Sequence, residues 1–286
     1  MQTKSQYVGK TQVNAPTQSA MTPAQRIKHI QTWLKQYARN AKIQCFVVGI
    51  SGGIDSSVVS ALCARTGILT MAVQMPIRQN RTLNNRSSLQ AGWLLERYKN
   101  VEHINMDLTP VFTAFERRLG SLCGSSDNYD LAMANSRARL RMMTLYQIAQ
   151  SHSGIVVGTG NRVEDFGVGF FTKYGDGGVD ISPIGDCMKT QVWDMGRELG
   201  LEQEIIDAAP TDGLWDDGRT DEGQLGLSYQ ELEQAMVMDT WDHDDLQSRS
   251  MSAKDKRMLK TYRQIRARNL HKMLPIPVCK QPDSVL

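Results

Sequence analysis

The sequence contains no long apolar run. No stretch of its 286 residues approaches the roughly 18 consecutive apolar residues of a membrane-spanning helix. The longest run, residues 45–50, has the length of a buried strand, and the N-terminus lacks the apolar core of a signal peptide. We therefore expect neither membrane insertion nor secretion.

Cysteine is scarce, and its spacing does not suggest pairing. The five cysteines are odd in number, and no two stand in a CxxC or other metal-ligand spacing: Cys45, Cys63, Cys123, Cys187 and Cys279. We expect reduced thiols in a cytoplasmic protein.

An excess of one charge is also missing. The 33 Lys and Arg residues nearly balance 30 Asp and Glu residues, which leaves a net charge of +3. The two signs are interspersed along the chain. Composition therefore gives no reason to expect a nucleic-acid partner.

The chain reads as a short tail followed by one domain. Residues 1–20 are rich in Gln, Thr and Ser and contain no acidic residue, so we expect a disordered tail. Thr22-Pro23 then begins an amphipathic helix. No later linker is long enough to separate two domains, so residues 21–286 are expected to form a single domain.

Apolar segments that follow the first helix alternate in type. Strands are predicted at residues 45–50, 68–75, 101–106 and 154–159, and helices at residues 56–65, 83–98, 111–119 and 135–151. This alternation predicts an α/β fold, a parallel twisted sheet with helices on both faces. Ligands of such sheets bind beyond the carboxyl ends of the strands.

The last third of the chain is predicted to be less regular. Glycines are dense from residue 160 to residue 185, and residues 211–226 are rich in Asp and Gly, so both segments are expected to be loops. Helices are predicted at residues 190–199, from Ser228, and at residues 252–272.

A glycine- and serine-rich loop lies between the first predicted strand and the helix that follows. Its sequence, residues 49–57, is GISGGIDSS. Glycines let backbone N–H groups approach an anion, and the next helix presents its positive end. Asp55 suits such a site when Mg²⁺ bridges it to a polyphosphate. The loop lacks the lysine of a P-loop, and a glycine turn with Asp55 as helix N-cap is the alternative.

Further polar residues are concentrated between residues 135 and 190. Arg137, Arg139 and Arg141 cannot share one helix face, so they are either a solvated charge run or phosphate ligands. Thr159 and Glu164 follow a strand, where a hydroxyl can reach nucleotide and a second carboxylate can complete a Mg²⁺ site with Asp55. Lys173, Asp176 and Asp180 occupy a glycine-rich loop. Lys189 begins a helix, where a cation opposes the dipole, so an anionic partner is expected.

The string Ser51-Gly52-Gly53-Ile54-Asp55-Ser56 resembles the pyrophosphate loop of the N-type ATP pyrophosphatases, which activate substrates by adenylation. That superfamily includes NAD synthetases, GMP synthetases, asparagine synthetases and tRNA-modifying enzymes. The motif therefore indicates ATP and leaves the acceptor open.

Several distant strings together resemble the ammonia-dependent NAD synthetases, over about 240 residues. These strings are SGGIDSS, NSRARLRMMTLY, GTGNRVED, GFFTKYGDGGVD, SPIGDCMKTQV, AAPTDGLW, DEGQLGLSY and HKMLPIP. The resemblance implies an adenine nucleotide α-hydrolase-like, Rossmann-like fold. It also implies a homodimer that converts deamido-NAD⁺, ATP and ammonia into NAD⁺, AMP and pyrophosphate with Mg²⁺.

The same resemblance implies roles for individual residues. Asp55 and Glu164 would bind Mg²⁺; Asp176, beside ammonia and the adenylate, would be catalytic together with Lys189 and Asp55. ATP would contact Gly49, Ile50, Ser51, Gly52, Gly53, Ile54, Asp55, Ser56, Thr159, Lys189 and Thr211. Deamido-NAD⁺ would contact Arg139, Lys173, Asp180, His271 and Lys272, although helix capping is the alternative for the last two.

Two segments depart from the family pattern, and two other functions compete with this one. Residues 165–168 read one residue longer than the common form, and residues 212–219 differ in sequence, which affects ligand contacts there.

A tRNA thiolase or GMP synthetase is one rival function, and a non-catalytic ATP-binding regulator is the other. The near-neutral charge and the absence of CxxC disfavour a tRNA enzyme, while two candidate Mg²⁺ carboxylates would be unnecessary in a regulator.

Overall fold

Helices and strands alternate through most of the chain. The computed structural model describes residues 21–79, 81–123, 128–215, 219–241 and 251–279, so the predicted tail at residues 1–20 lies outside the described part. The elements are α1 (Pro23–Ala41), β1 (Cys45–Gly49), α2 (Ile54–Ala64), β2 (Leu69–Gln74), α3 (Arg81–Arg97), β3 (Val101–Asn105), α4 (Thr109–Cys123), α5 (Tyr129–Ser151), β4 (Gly154–Val156), a π-helix (Arg162–Val168), α6 (Lys189–Leu199), α7 (Gln203–Ile206), α8 (Asp221–Leu225), α9 (Tyr229–Asp239) and α10 (Ala253–Met273).

The four strands form one parallel sheet in the order β3-β2-β1-β4. Cys45 of β1 pairs with Leu69 on one side and with Gly154 on the other. The chain adds β2 and β3 on one side of β1 and then crosses to place β4 on the other side. The side on which successive strands are added thus changes between β1 and β4, and such a switch point is where α/β sheets bind ligands.

Helices cover both faces of the sheet, which confirms the predicted fold class. Alternate side chains of β1 enter different cores, because successive strand residues point to opposite faces. Phe46 and Val48 pack in a cluster with residues of α1, α2, α3 and α6. Cys45 and Val47 pack in a second cluster with residues of α4 and α5.

A third apolar cluster lies outside the two faces of the sheet. The π-helix contributes Val163 and Val168, and the other buried members come from α8, α9 and α10: Leu225, Tyr229, Leu232, Ala235, Met238, Met258, Leu259 and Tyr262. This cluster fixes the π-helix at the outlet of β4. Glu164 belongs to that π-helix, so its position depends on the C-terminal third of the chain.

Most predicted elements are present, with shifts at their ends. Thr22 caps α1 through a reciprocal capping box with Gln25, and Pro23 is its first residue, as predicted. β4 ends at Val156 rather than at residue 159, because Val157 forms only an isolated bridge to Ile181. α5 begins at Tyr129, ahead of the predicted Asn135, since Met133 and Ala134 already face the core.

Two segments that were predicted to be loops contain helices. The glycine-dense segment holds the π-helix, and the Asp- and Gly-rich segment holds α8, whose first turn is capped by Thr220. Both helices are too short for a periodic apolar pattern to be seen in the sequence. Within the described residues, no helix has the length and apolar character to cross a membrane.

Candidate nucleotide site

A cavity of about 240 Å³ opens at the carboxyl ends of β1 and β4. The loop after β1, the start of the π-helix, α6 and the segment at residues 208–214 all contribute to its wall. Of the residues predicted to bind ATP, Mg²⁺ or ammonia, these line it: Gly49, Ile50, Ser51, Gly53, Ile54, Asp55, Ser56, Thr159, Glu164, Asp176, Lys189 and Thr211. Gly52 alone of that set is not part of the lining.

The loop after β1 is held in shape by its own serines. The Ser56 hydroxyl accepts a hydrogen bond from Ser51 N–H at 3.2 Å and donates to Gly53 O at 3.1 Å. Gly52 has φ +81°, and a Cβ there would lie 2.7 Å from Ser87 N, so only glycine fits. Gly53 is the N-cap of α2, so the alternative that Asp55 caps this helix is wrong.

Lys189 lies between two carboxylates at the base of the cavity. Its ammonium is 2.5 Å from Asp55 Oδ2 and 3.0 Å from Glu164 Oε1, and its side chain is only 2% exposed. Burial alone would lower the pKa of Lys189, but the two carboxylates raise it above its ordinary value. The anionic partner predicted for Lys189 is therefore confirmed, and there are two of them.

Three neighbours of this ion-pair cluster were not predicted. Asn161 is buried; its Nδ2 donates to Asp55 Oδ1 at 3.0 Å, while its Oδ1 accepts from Glu164 N–H at 3.2 Å. The Tyr229 hydroxyl contacts Glu164 Oε1 at 2.5 Å and Asp221 Oδ2 at 3.1 Å. All three lie in strings that carried the resemblance, GTGNRVED and DEGQLGLSY, but nothing in their spacing indicated that they meet.

Asp55 and Glu164 are the two carboxylates predicted to hold Mg²⁺. Among the described residues, no three His, Cys, Asp or Glu side chains form a group that could hold a metal ion alone. Mg²⁺ differs from most metals in this respect, because it commonly takes one or two carboxylates and completes its shell with water and substrate phosphates. Two carboxylates that already share one cation beside a phosphate-type loop fit that requirement.

Burial changes the acidity of other carboxyl groups around the cavity. Burial raises the pKa of Asp176 to about 6, although its Oδ1 accepts Thr172 N–H at 2.9 Å. Burial and the Glu164 charge raise the pKa of Asp221 to about 7. Asp165 also has a pKa well above its ordinary value for the same two reasons. Asp176 and Asp221 can therefore exchange protons near neutral pH.

The three arginines of α5 point in different directions, and each donates to a backbone carbonyl. Arg137 Nη1 lies 2.5 Å from Leu214 O, Arg139 Nε 3.2 Å from Lys173 O, and Arg141 Nε 3.0 Å from Met75 O. Arg137 and Arg141 are partly buried, so the interpretation as a solvated charge run is wrong for those two, whereas Arg139 is exposed. Arg141 lines the cavity, and burial together with the Arg137 charge lowers its pKa to about 10.

The five residues predicted to contact deamido-NAD⁺ lie outside the cavity lining. Lys272 Nζ donates to Gly169 O at 2.6 Å and to Phe171 O at 2.7 Å. Lys173 Nζ donates to His271 O at 2.9 Å, and Arg139 contacts the Lys173 carbonyl, so four of the five are grouped.

Asp180 is separate from that group. Its Oδ2 accepts Val156 N–H at 2.8 Å and its Oδ1 accepts the Tyr146 hydroxyl at 3.1 Å, which places it beside the end of β4.

Lys272, for which capping of its own helix was the alternative, instead caps backbone carbonyls that follow the π-helix. Residues 165–168, which read one residue longer than the common family form, lie within that π-helix, whose turn holds more residues than an α-helical turn.

Known proteins similar to this chain belong to one family. A family model described as NAD synthase matches residues 26–275. The NH(3)-dependent NAD(+) synthetase of Carboxydothermus hydrogenoformans is 36% identical over 214 residues, which cover 74% of this chain and 85% of that protein.

Two solved structures are similar over nearly the whole chain. The structure of NMN synthetase from Francisella tularensis is 33% identical, with a TM-score of 0.75 over 92% of this chain and 100% of that one. The NH3-dependent NAD synthetase from Campylobacter jejuni is 22% identical, with a TM-score of 0.72 over 91% of this chain and 100% of that one, and shows the shared fold.

Proposed function

The chain belongs to the NAD synthase family, and on that premise we propose that it is an ammonia-dependent ligase that amidates deamido-NAD⁺ with ATP. The observation that carries the proposal is the Lys189 ammonium, held between Asp55 and Glu164 in a cavity walled by the loop after β1. A buried cation and two carboxylates beside a phosphate-type loop suit the handling of a polyphosphate. Family membership favours this function over the other pyrophosphatase-loop enzymes and over a regulator.

The proposed reaction has two steps. The nicotinate carboxylate attacks the α-phosphate of ATP and pyrophosphate leaves; ammonia then attacks the carbonyl carbon of the mixed anhydride and AMP leaves. Backbone N–H groups from residues 49–56, together with Thr159 and Thr211, bind and orient ATP. Lys189 neutralises phosphate charge. The chemistry is mainly positioning and charge stabilisation, so no covalent nucleophile is required.

Asp55 and Glu164 would hold Mg²⁺ in this proposal. When bound, that ion would neutralise phosphate charge and favour the departure of pyrophosphate. Asn161 holds the Asp55 carboxylate directly, by donating to it, and holds Glu164 through its backbone N–H.

Asp176 is proposed to bind ammonium and to accept its proton. Ammonia is largely ammonium at neutral pH, so a carboxylate in the cavity serves both to attract the cation and to release the nucleophile. A pKa of about 6 for Asp176 lies close to neutral pH, which suits a group that gains and loses a proton in each turnover.

The acid substrate and the dimer are proposed together. Arg139, Lys173, Asp180, His271 and Lys272 are kept as candidate deamido-NAD⁺ contacts, reached from outside the cavity. Helices α4 and α5 expose several large apolar side chains, which supports a homodimer through that surface: Val111, Phe115, Leu122, Leu131 and Met143.

The five cysteines are free thiols, in keeping with the predicted cytoplasmic location.

Nicotinate mononucleotide is a second candidate substrate. The favouring observation is the 33% identity to the NMN synthetase of Francisella tularensis, whose structure overlaps 92% of this chain and 100% of its own. That substrate carries the same carboxylate but lacks the AMP half of deamido-NAD⁺, so the adenylation site would be unchanged. The five candidate dinucleotide contacts, which lie outside the cavity, would then have less to bind.

An assay of the purified protein with each acid substrate distinguishes the two candidate substrates. Incubation with ATP, Mg²⁺, ammonium and each acid substrate in turn, followed by chromatography, should give AMP and NAD⁺ with deamido-NAD⁺. AMP and NMN formed only with nicotinate mononucleotide would establish the second candidate. If no AMP forms with either acid, both candidates are overturned.

Asp55→Asn should abolish AMP formation without loss of the folded state; near-normal product from that variant would remove Asp55 from the Mg²⁺ site.

A further inference from the structure

Tyr229 is fully buried against the ion-pair cluster. Its relative exposure is 0%, and its hydroxyl lies 2.5 Å from Glu164 Oε1. That oxygen also accepts the Lys189 ammonium at 3.0 Å. One oxygen of Glu164 thus receives two hydrogen bonds from side chains that come from different helices, and the carboxylate cannot rotate without breaking both.

The ring of Tyr229 contacts the other member of the cluster. Lys189 Nζ lies 4.7 Å from the ring centroid, within the range of a cation–π contact. Trp193, one turn along α6, meets the same ring edge-on, with centroids 5.8 Å apart and an interplanar angle of 86°. Tyr229 therefore touches both the cation and one of its two carboxylates.

The backbone of Tyr229 is fixed independently of the cluster. It is the first residue of α9, whose N-cap Ser228 forms a reciprocal capping box with Glu231. Its N–H donates to Glu222 Oε1 at 3.0 Å, which ties α9 to α8. Asp221, the second partner of the hydroxyl, donates its own N–H to Pro210 O at 3.1 Å, beside the segment that lines the cavity.

We propose that Tyr229 is a positioning residue that fixes the Glu164 carboxylate for the divalent cation. The inference rests on the proposed function, which places Mg²⁺ at Asp55 and Glu164. The cation site itself is formed by the loop after β1, the π-helix and α6. Tyr229 contacts that site from a fourth element, α9. Loss of its hydroxyl removes one of the two hydrogen bonds to Glu164 Oε1 and so loosens the carboxylate, while the ring still fills its place in the apolar cluster.

Metal binding measured directly tests this role. Mn²⁺ replaces Mg²⁺ as a spectroscopic probe, and free Mn²⁺ is counted by electron paramagnetic resonance in the presence of α,β-methylene-ATP, which cannot release pyrophosphate. Tyr229→Phe should weaken Mn²⁺ binding by about tenfold, the lower end of the effect of removing a residue that orients a metal ligand. Tyr262→Phe is the matched control, because Tyr262 is buried in the same apolar cluster, at 3% exposure, and does not contact Glu164.

A double variant shows whether Tyr229 acts on the metal site through Glu164 or only through the stability of the fold. If Tyr229 acts through Glu164, then Tyr229→Phe should weaken Mn²⁺ binding no further in a Glu164→Gln background. An equal loss in both backgrounds, or an unchanged affinity in the single variant, would overturn the role of Tyr229. Absence of Mn²⁺ binding by the unsubstituted protein would overturn the metal site itself, and with it this inference. Melting temperatures confirm that every variant is folded.

Discussion

The Lys189 ammonium lies 2.5 Å from Asp55 Oδ2, although 134 residues separate the two in the sequence. The contact joins the first residue of α6 to the first turn of α2, and Glu164 joins it from the π-helix. Removing one partner of a buried ion pair lowers the free energy of unfolding strongly, because the partner left behind is a buried charge without a counterion.

Lys189→Met should therefore destabilise the protein strongly. Removal of the ammonium leaves Asp55 and Glu164 unpaired, and the expected loss in the free energy of unfolding is about 3–5 kcal/mol. Mg²⁺ should restore part of the loss in this variant, since a divalent cation can neutralise the same carboxylates. Urea unfolding with and without Mg²⁺ measures both effects.

Lys254→Ala is the control for that experiment. Lys254 pairs with Glu231 at 3.1 Å on the surface, where its side chain is 70% exposed. Such a pair is expected to contribute about 0–1 kcal/mol. Equal losses in the two variants would contradict a special role for the buried cluster.

Asp176→Asn should make the protein more stable at pH 8 and less active. Burial raises the folded-state pKa of Asp176 to about 6 from an ordinary 3.8, so its favourable contribution is complete below pH 3.8 and is lost as the pH rises to 6. Asp176 is exposed to solvent, which screens its charge, so the cost of that charge above pH 6 is expected to be no more than about 1 kcal/mol. An amide avoids this cost, and its oxygen can still accept the Thr172 N–H.

The measurement is unfolding free energy at pH 5 and at pH 8, together with amide formation. The gain should be largest at pH 8 and should shrink toward pH 5. Asp186→Asn is the control, because the Asp186 side chain is 96% exposed. A variant that gains stability and keeps full activity would remove Asp176 from the proposed handling of ammonium.

The sequence predicted those parts of the fold and site that depend on local pattern. The strand at Cys45–Gly49 was evident because it is a short buried apolar run between polar segments. The anionic partner of Lys189 was predicted because a cation opposes the dipole at a helix N-terminus. Which anion it meets depends on strand order, and one sequence does not contain that information in any local form.

Other parts of the site depend on tertiary packing. Tyr229 was an unremarked residue at a helix start, and only the docking of α9 against the π-helix brings its hydroxyl to Glu164. The π-helix itself has no periodic signature, since seven residues are too few to show one. Lys272 was expected at a ligand or at its own helix end, and neither pattern indicated the carbonyls of Gly169 and Phe171.

Gly52→Ala should cost much more than Gly67→Ala. Both glycines have φ +81°, a conformation that costs other residues roughly 1–2 kcal/mol. A Cβ at Gly67 meets nothing within 4 Å, whereas one at Gly52 would lie 2.7 Å from Ser87 N. Gly67→Ala should therefore show the backbone cost alone, with an unchanged KM for ATP. Gly52→Ala should lose additional stability and raise that KM; equal effects in unfolding and kinetics would contradict a role for close packing behind the loop.

Lys272→Ala should loosen the segment that carries Asp176. The Lys272 ammonium donates to Gly169 O and Phe171 O and lies 5.3 Å from the Phe171 ring centroid. Hydrogen bonds that involve a charged group contribute about 1.5–3 kcal/mol each, so their loss should speed amide hydrogen exchange at residues 169–176 by about tenfold or more. The KM for ammonium and for the acid substrate should rise, while the KM for ATP should change little, because Lys272 lies outside the cavity lining.

Lys260→Ala provides the comparison for Lys272, because Lys260 is exposed on the same helix and should change stability by no more than about 0.5 kcal/mol. Three outcomes at Lys272 have different meanings. A raised KM for the acid substrate with unchanged exchange at residues 169–176 would make Lys272 a direct ligand. Faster exchange together with raised KM values would show that it acts by holding the segment in place. Unchanged exchange with unchanged KM values would contradict both roles, and the two carbonyls would then be held adequately by the rest of α10.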